Sequence, residues 1–392
     1  MSDEDDFNAR RRRQFDLWKD AWIKGTGSAD DDPIFVYGHM IKYLIEPDHT
    51  PFLDLLGGGG FIPHSHGNRV IGEAMGKMVQ QAYQTSERGD HAYAATAEFM
   101  VKVEEHLPFQ GGSWRFASSE SEAFLVLMEA LASEYDEIVV VNGPTGWPHR
   151  SKGHAWSNTP DLHPGSEVLR SISRAGRVAF VVYPVNPETF ELVSTGTLAM
   201  IDSLMRDDSN LLVWDTSVTA GWMREPLDVH PHAGAVLLGG ALGGGLPFGA
   251  VVSRDTSLAL SYPESGRWSA TAGNALTCQL GLHALLLCEG DDVRDRYDLL
   301  VAALGKELED IQLQLPEVVR EIVGGGLLGG FRLSSVAEAE KVVIGLRDRG
   351  VLVGSLGIPR GIVTFRVSRS TDPHDVSELF DKVFEILTER QP

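Results

Sequence analysis

The sequence predicts an α/β protein: a mainly parallel sheet covered by helices on both faces, with a smaller α+β part beside it. Three observations carry this. From about residue 113, short apolar runs (EIVVVNG, RVAFVVYPVN, NLLVWD, GAVLLGG, FGAVVSR) alternate with helix-patterned segments such as SEAFLVLMEALASEY and TGTLAMIDSLMRD. Continuous rather than alternating apolar runs belong to strands buried on both faces, the condition of a parallel sheet. After the helix-patterned TAGNALTCQLGLHALLLCEG the character changes. EIVGGGLLGGFRLS, EKVVIGLRDRGVLVG, GIVTFRVS and HDVSELFDKVFEILTE predict a small antiparallel sheet with helices. Finally, 392 residues exceed one minimal core and suit one large or two interlocked domains.

Each element has its local reason. Residues 1–30 read as a polar N-terminal segment with a short helix around RRRQFDLWKDAW. Residues 31–112 hold an apolar strand ended by glycines, TPFLDLLGGGG, and the helix-spaced NRVIGEAMGKMVQQAYQ. They form the N-terminal part of the small domain. Residues 113–289 form the large α/β domain, and 290–392 the C-terminal small domain.

Composition narrows the function. Hydrophobic content of 43% and charged content of 23% are ordinary for a globular protein. A net charge of −21 argues against nucleic acid as a partner, because phosphates call for a basic face. The basic run Arg10–Arg13 follows acidic SDEDD and reads as a solvated segment. Only Cys278 and Cys288 are present, so no disulfide framework is implied and a reducing compartment fits. With no signal-like apolar core and no run of membrane-spanning length, the expectation is a cytoplasmic protein with no membrane partner.

The glycine clusters LLGGGG, GGALGGG and VGGGLLGG lack the endings of nucleotide-binding loops and read as turns and close backbone approaches. There is no G-x-S-x-G elbow. Histidines gather in PHSHG (His64, His66), in the loop carrying His149, His154 and His163, and in HPHAG (His230, His232). His149, His154 and His163 are the candidates for a metal, but the spacings match no recognised zinc pattern, and no metal is expected.

The order of landmarks resembles the class III aminotransferases, pyridoxal-phosphate enzymes that include glutamate-1-semialdehyde aminomutase. The likeness runs over roughly residues 35–390. FASSESEAFLVLMEAL resembles the family's Ser-Gly-Thr-Glu-Ala helix start, and VVYPV its Glu-Pro-Val strand, with Tyr183 where the acid stands. LLVWDTSVTAG resembles the strand ending in Asp-Glu-Val-x-Thr-Gly, GGALGGGLPFGAVV the lysine segment, and ATAGNALTCQLGL the helix that follows it. The resemblance implies the fold-type I aminotransferase architecture: a large domain with a mainly parallel, seven-stranded sheet and a small α+β domain. It also implies a homodimer, with dimer contacts in residues 31–112.

The resemblance implies site residues as well, and several depart from the pattern. Gly240 stands at the position of the Schiff-base lysine, leaving the catalytic group unknown; Lys152 is the one lysine weighed as a substitute, and reads better as a solvated loop residue. Ser119, Glu120 and Ser121 match the phosphate cup, with Glu120 in place of its glycine, there to repel a phosphate or to cap the helix. Pro144, Thr145 and Gly146 match the turn that carries the stacking ring, so that ring is absent, with Trp147 just beyond; Ala270 stands where the partner offers a threonine to the phosphate, with Thr271 adjacent but facing another way unless the loop is shifted. Asp215 and Arg366 keep their family identities, for a pyridinium nitrogen and a substrate carboxylate.

From these departures the expected function is a class III aminotransferase-fold protein with a degenerate pyridoxal phosphate (PLP) site, no longer a transaminase. It would be a repurposed, cofactor-independent enzyme of a specialised biosynthetic pathway or a non-catalytic partner, so whether it is an enzyme stays open. No cofactor is expected, and the ligand would be a small carboxylate. One alternative is an aminotransferase or aminomutase that holds PLP or pyridoxamine phosphate (PMP) non-covalently. Another is a metal-dependent enzyme using pocket histidines.

Overall fold

The computed structural model describes residues 36–389 apart from 37, 47–48, 81–92, 145–149, 152–153, 156, 164–165, 173–175, 257 and 259–271. The segment predicted as a helix around RRRQFDLWKDAW lies outside the described residues.

The chain opens with β1 (Gly38–Met40), β2 (Tyr43–Ile45) and β3 (Pro51–Asp54), followed by α1 (Arg69–Gln80) and α2 (Ala94–Glu104). Next come β4 (Ser113–Ala117), α3 (Glu120–Glu134), β5 (Glu137–Val141), the short β6 (Arg150–Ser151) and β7 (His154–Ala155), β8 (Ser157–Thr159) and α4 (Glu167–Ile172). β9 (Val178–Val182), α5 (Thr195–Leu204), β10 (Leu211–Asp215), β11 (Ala235–Gly239), β12 (Gly249–Ser253) and α6 (Ala275–Leu286) complete this part.

Seven of these strands form one sheet in the order β4-β12-β11-β10-β9-β5-β8. β12 alone runs against its neighbours, pairing antiparallel with both β11 and β4. The cause is connection length: residues 240–248 are too few for the crossover of about a dozen residues that a parallel return needs. Strands β9, β10 and β11 are buried at every position, as their continuous apolar runs require. Their side chains divide with period two. Val140, Val181, Val213 and Leu237 pack with Phe124, Leu127 and Leu131 of α3. Val139, Phe180, Leu212, Val236 and Leu238 pack on the other face with Phe99 of α2 and Cys278 of α6. Each large side chain buried this way contributes about 1.5–3 kcal/mol.

The remaining elements are α7 (Asp291–Gln314), β13 (Val319–Gly325), β14 (Leu328–Leu333), α8 (Val336–Asp348), β15 (Val351–Leu352), β16 (Ile362–Arg366) and α9 (Pro373–Thr388). β13, β14 and β16 form an antiparallel sheet. Its core draws Leu304 from α7, Val342 from α8 and Phe380 from α9 around Phe331 and Phe365. Leu53 of β3 joins this core, and β3 pairs in parallel with β15, tying an early segment of the chain to a late one. The architecture agrees with the α/β expectation: a large mixed sheet between helices, with a smaller α+β part.

Both cysteines are free and buried. Burial pushes the Cys288 thiol up to about 11, so it holds its proton at neutral pH and is no nucleophile. Among the described residues no helix is long and apolar enough to cross a membrane.

Candidate functional site

The carboxyl ends of the parallel strands deliver the chemistry to one edge of the sheet, where open α/β sheets bind ligands. β9 is followed by Tyr183, β10 ends in Asp215, and β11 ends at Gly239 with Gly240 next. Asp215 is buried to 1%. Its Oδ1 accepts from the Ser217 backbone N–H at 2.9 Å, while Oδ2 and the nearby Ser217 hydroxyl lack a well-formed hydrogen-bond partner among the described residues. Burial raises the Asp215 carboxyl to about 6, against the pull of polar contacts from Ser217 and Tyr183. A buried acceptor without a donor is costly, and it fits a ligand that brings one.

Glu120 opens α3. The sequence leaves it to cap that helix or to repel a phosphate, and the structure corrects the first expectation. Ser119 is the cap, its hydroxyl accepting from the Glu122 N–H at 3.2 Å, while the Glu122 carboxylate accepts from the Ser118 N–H at 2.6 Å. The Glu120 side chain instead lies over Gly239 and Gly240. A Cβ at Gly239 would come within 2.9 Å of Glu120 Cβ and Cγ, and one at Gly240 within 3.7 Å of its Oε2. Burial, then the charge of Asp215, raise Glu120 to about 7. Gly249 keeps β12 against this helix start, since a Cβ there would sit 2.1 Å from the Ser119 carbonyl oxygen.

Arg366 ends β16 with its guanidinium carbon 4.7 Å from the centre of the Phe190 ring. Among the described residues its Nη1 makes only a long contact, 3.5 Å, to the Leu56 carbonyl, and its Nε has no hydrogen-bond partner. Burial lowers Arg366 to about 10, against the opposing charges of Asp54 and Glu120. Asp54 is itself engaged, accepting from the Leu56 and Gly58 amides at 2.8 and 2.9 Å and pairing with His66 at 2.7 Å. Beside these groups a cavity of about 300 Å³ is lined by Phe61, Ile62, Ser119, Glu120, Ser121 and Pro247, among others. That is the lower end of small-ligand sites.

Of the residues predicted from sequence, Ser119, Glu120 and Ser121 line this cavity, and Glu120 is electrostatically coupled to both Asp215 and Arg366. Gly240 follows Gly239 beneath the Glu120 side chain. Thr145, Gly146 and Thr271 lie outside the described residues, as do Trp147, Lys152, Ala270 and His149. Sequence reasoning missed Ser217, although it stands only two residues beyond the retained Asp215. It also missed Phe190, for which the sequence holds no signal.

Of the other metal candidates, His154 lies on β7 and His163 is exposed. A different set comes together: Asp202, His230 and His232 hold ligand atoms within 4.8 Å of one another. They precede the amino end of β11, the end opposite Gly239, and the imidazoles already face the Asp202 carboxylate at 3.5 and 2.9 Å. His64 is buried and held low, at about 3, by burial and the Arg369 charge; its Nε2 bonds the Ala284 carbonyl.

The pair of raised carboxyls predicts a pH effect. Both fold with their protons held above the ordinary range, so the stability they contribute is full below about pH 4 and is lost as pH rises through about 6 and 7. The melting-temperature difference of Glu120→Gln over the ligand-free wild type is expected to be larger at pH 8 than at pH 5. An equal difference at both would show that Glu120 titrates normally.

Comparison with known proteins places this geometry. The family model Aminotransferase class-III matches residues 179–387, the span that holds Asp215, Gly240 and Arg366. The mitochondrial ornithine aminotransferase of Rattus norvegicus is 26% identical over 343 residues, 79% of this chain and 76% of its own. Ornithine δ-aminotransferase of Plasmodium falciparum superposes with a TM-score of 0.78 at 17% identity, covering 95% of this chain and 97% of its own. Ornithine aminotransferase of Toxoplasma gondii gives 0.78 at 16% identity over 98% and 97%, and that protein has PLP at partial occupancy in its active site.

These similarities overturn two expectations drawn from the sequence. One was an aminotransferase-fold protein no longer a transaminase, acting as a cofactor-independent enzyme or a non-catalytic partner; the other was that no cofactor binds. They favour instead the alternative of a PLP- or PMP-dependent enzyme. The physical reason for the misreading is that Glu120 was counted as an obstruction in the phosphate cup. In the structure Ser119 caps α3, the cavity stays open beside its first turn, and Asp215 keeps an unsatisfied acceptor. The chain belongs to the class III aminotransferases.

Proposed function

We propose that this chain is an aminotransferase or aminomutase that holds PLP or PMP without a covalent lysine. The observation that carries the reading is Asp215: a carboxylate fully buried at a strand end, with one oxygen lacking a well-formed hydrogen bond among the described residues. The residues present fit the cofactor by non-covalent contacts. Asp215 would accept from the protonated ring nitrogen. Ser119, Ser121 and the free amides of the first turn of α3 would receive the phosphate, favoured there by the helix dipole. Gly240 supplies no amine, and none of the described residues lining the cavity is a lysine. When bound, the cofactor supplies an electron sink that makes the α-proton of an amino substrate removable, and it carries the amino group.

The chain's own residues do the rest. Arg366, packed on Phe190 with an unpartnered Nε, would grip the substrate carboxylate and fix the α-carbon relative to the ring. Phe61, Ile62 and Phe248 wall one side of the cavity and limit the entry of water. Tyr183, buried and held in its neutral form by burial and by the charges of Asp215 and Glu120, backs Asp215. The reading includes a homodimer, the assembly on which the family builds this site.

The test is reconstitution with PLP or PMP, followed by amino transfer from ornithine or N-acetylornithine, the donors in the names of similar proteins, to a 2-oxo acid supplied as acceptor. The expected result is stoichiometric cofactor uptake seen by absorbance, and turnover with a suitable donor. In Arg366→Ala the KM for a carboxylate-bearing donor is expected to rise at least about tenfold, the worth of one charge-assisted contact, with a smaller change in kcat. Failure to take up either form of the cofactor would end the reading.

A further inference from the structure

We propose that the site selects the amine form of the cofactor, PMP, over the aldehyde form, with the Glu120 carboxylate as the counter-charge of the 4′-ammonium group. The inference rests on the function proposed above and goes further in assigning which form is held and by what. Its first support is position. The family's cup glycine and its lysine are both replaced here, by Glu120 and Gly240, and in space the two replacements meet. The Glu120 side chain reaches across Gly239, where a Cβ would come within 2.9 Å of it, and its Oε2 lies 3.7 Å from where a side chain at 240 would begin. A carboxylate therefore stands beside the backbone from which an amine would have extended.

The second support is charge. The Asp215 charge opposes the ionisation of Glu120, and Arg366 is the one cation acting on Glu120 among the described residues. With both acids ionised, the edge of the sheet carries two negative charges against one positive. A protonated ring nitrogen answers Asp215 and leaves the Glu120 charge opposed only by Arg366 and the Ser217 contact. An ammonium group offers three donors and a positive charge. An aldehyde offers only acceptor lone pairs, which a carboxylate repels, and it has no lysine in the cavity lining to react with.

The experiment is equilibrium binding of PMP and of PLP, followed by absorbance at pH 7.5, on the full chain and on Glu120→Gln and Glu120→Ala. Adducts of PLP on surface lysines are located by borohydride reduction and mass analysis, and subtracted. The wild type is expected to bind PMP at least tenfold more tightly than PLP. Both variants, checked as folded by circular dichroism, are expected to lose that preference, through weaker PMP binding and unchanged or tighter PLP binding. Equal affinity of the wild type for the two forms, or a preference that survives in both variants, overturns the inference while leaving the proposed function standing. Binding of neither form by the wild type overturns both.

Discussion

Asp215→Asn is expected to weaken PMP binding at pH 7.5 by about 100-fold, while the ligand-free protein keeps or gains thermal stability. The two effects have one origin. In the ligand-free protein the carboxylate is buried at the end of β10 with Oδ2 unpartnered, and burial raises it to about 6. Ionised at neutral pH, it is a charge held without a full set of donors, and that costs stability. Asparagine keeps an oxygen for the Ser217 amide now held at 2.9 Å and removes the charge. The folded chain should therefore melt no lower, and at pH 8 somewhat higher. Binding moves the other way, because a charge-assisted hydrogen bond to a protonated ring nitrogen is worth about 1.5–3 kcal/mol and burial raises that figure. Isothermal titration and thermal melts on the same samples check the pair. Parallel loss of stability and binding would instead mark Asp215 as a structural turn residue.

This division between what folding wants and what binding wants also explains how much the sequence revealed. The sheet was legible because its strands are buried on both faces and carry unbroken apolar runs: VAFVV, LLVWD and AVLLG can sit nowhere else in a protein of this size. The antiparallel turn of β12 was not, because nine glycine-rich residues after β11 could equally have opened a helix. Asp215 was legible as the end of an apolar run.

Glu120 was legible as a departure but not in its effect. Sequence places it on the first turn of a helix, and only the structure gives its side chain's direction, over Gly239 rather than into the cap that Ser119 fills. Arg366 was read from the resemblance; its seat on Phe190, more than 170 residues away in sequence, is a tertiary fact with no local pattern. The same holds for Trp222, whose ring fills the space a side chain at Gly57 would need and whose indole N–H donates to the Gly60 carbonyl at 3.0 Å.

The second large effect concerns Gly240→Lys, the substitution that returns an amine to the position of the covalent tether. It is expected to lower stability by about 1–3 kcal/mol and to form no covalent link to PLP. Gly240 stands at φ +54°, in the left-handed region, and its Cβ would approach the Ser217 carbonyl oxygen to 2.6 Å, a contact with backbone that no rotamer relieves. The carbonyl belongs to the turn after Asp215, so relief must come from moving the residue proposed to hold the ring nitrogen. A lysine that entered would also meet Glu120 Oε2 near its first side-chain carbon, and a carboxylate at that point would capture its ammonium group as an ion pair. An ammonium group held in that way is protonated and no nucleophile. Borohydride reduction with PLP, followed by mass mapping of residue 240, gives the readout, with a melt to measure the cost. A reduced adduct at residue 240 in the single variant would show that Glu120 leaves the amine free. If the adduct appears only in Gly240→Lys combined with Glu120→Gly, the carboxylate and the missing amine are two halves of one change: the site gave up the tether when it gained a counter-charge for the amine.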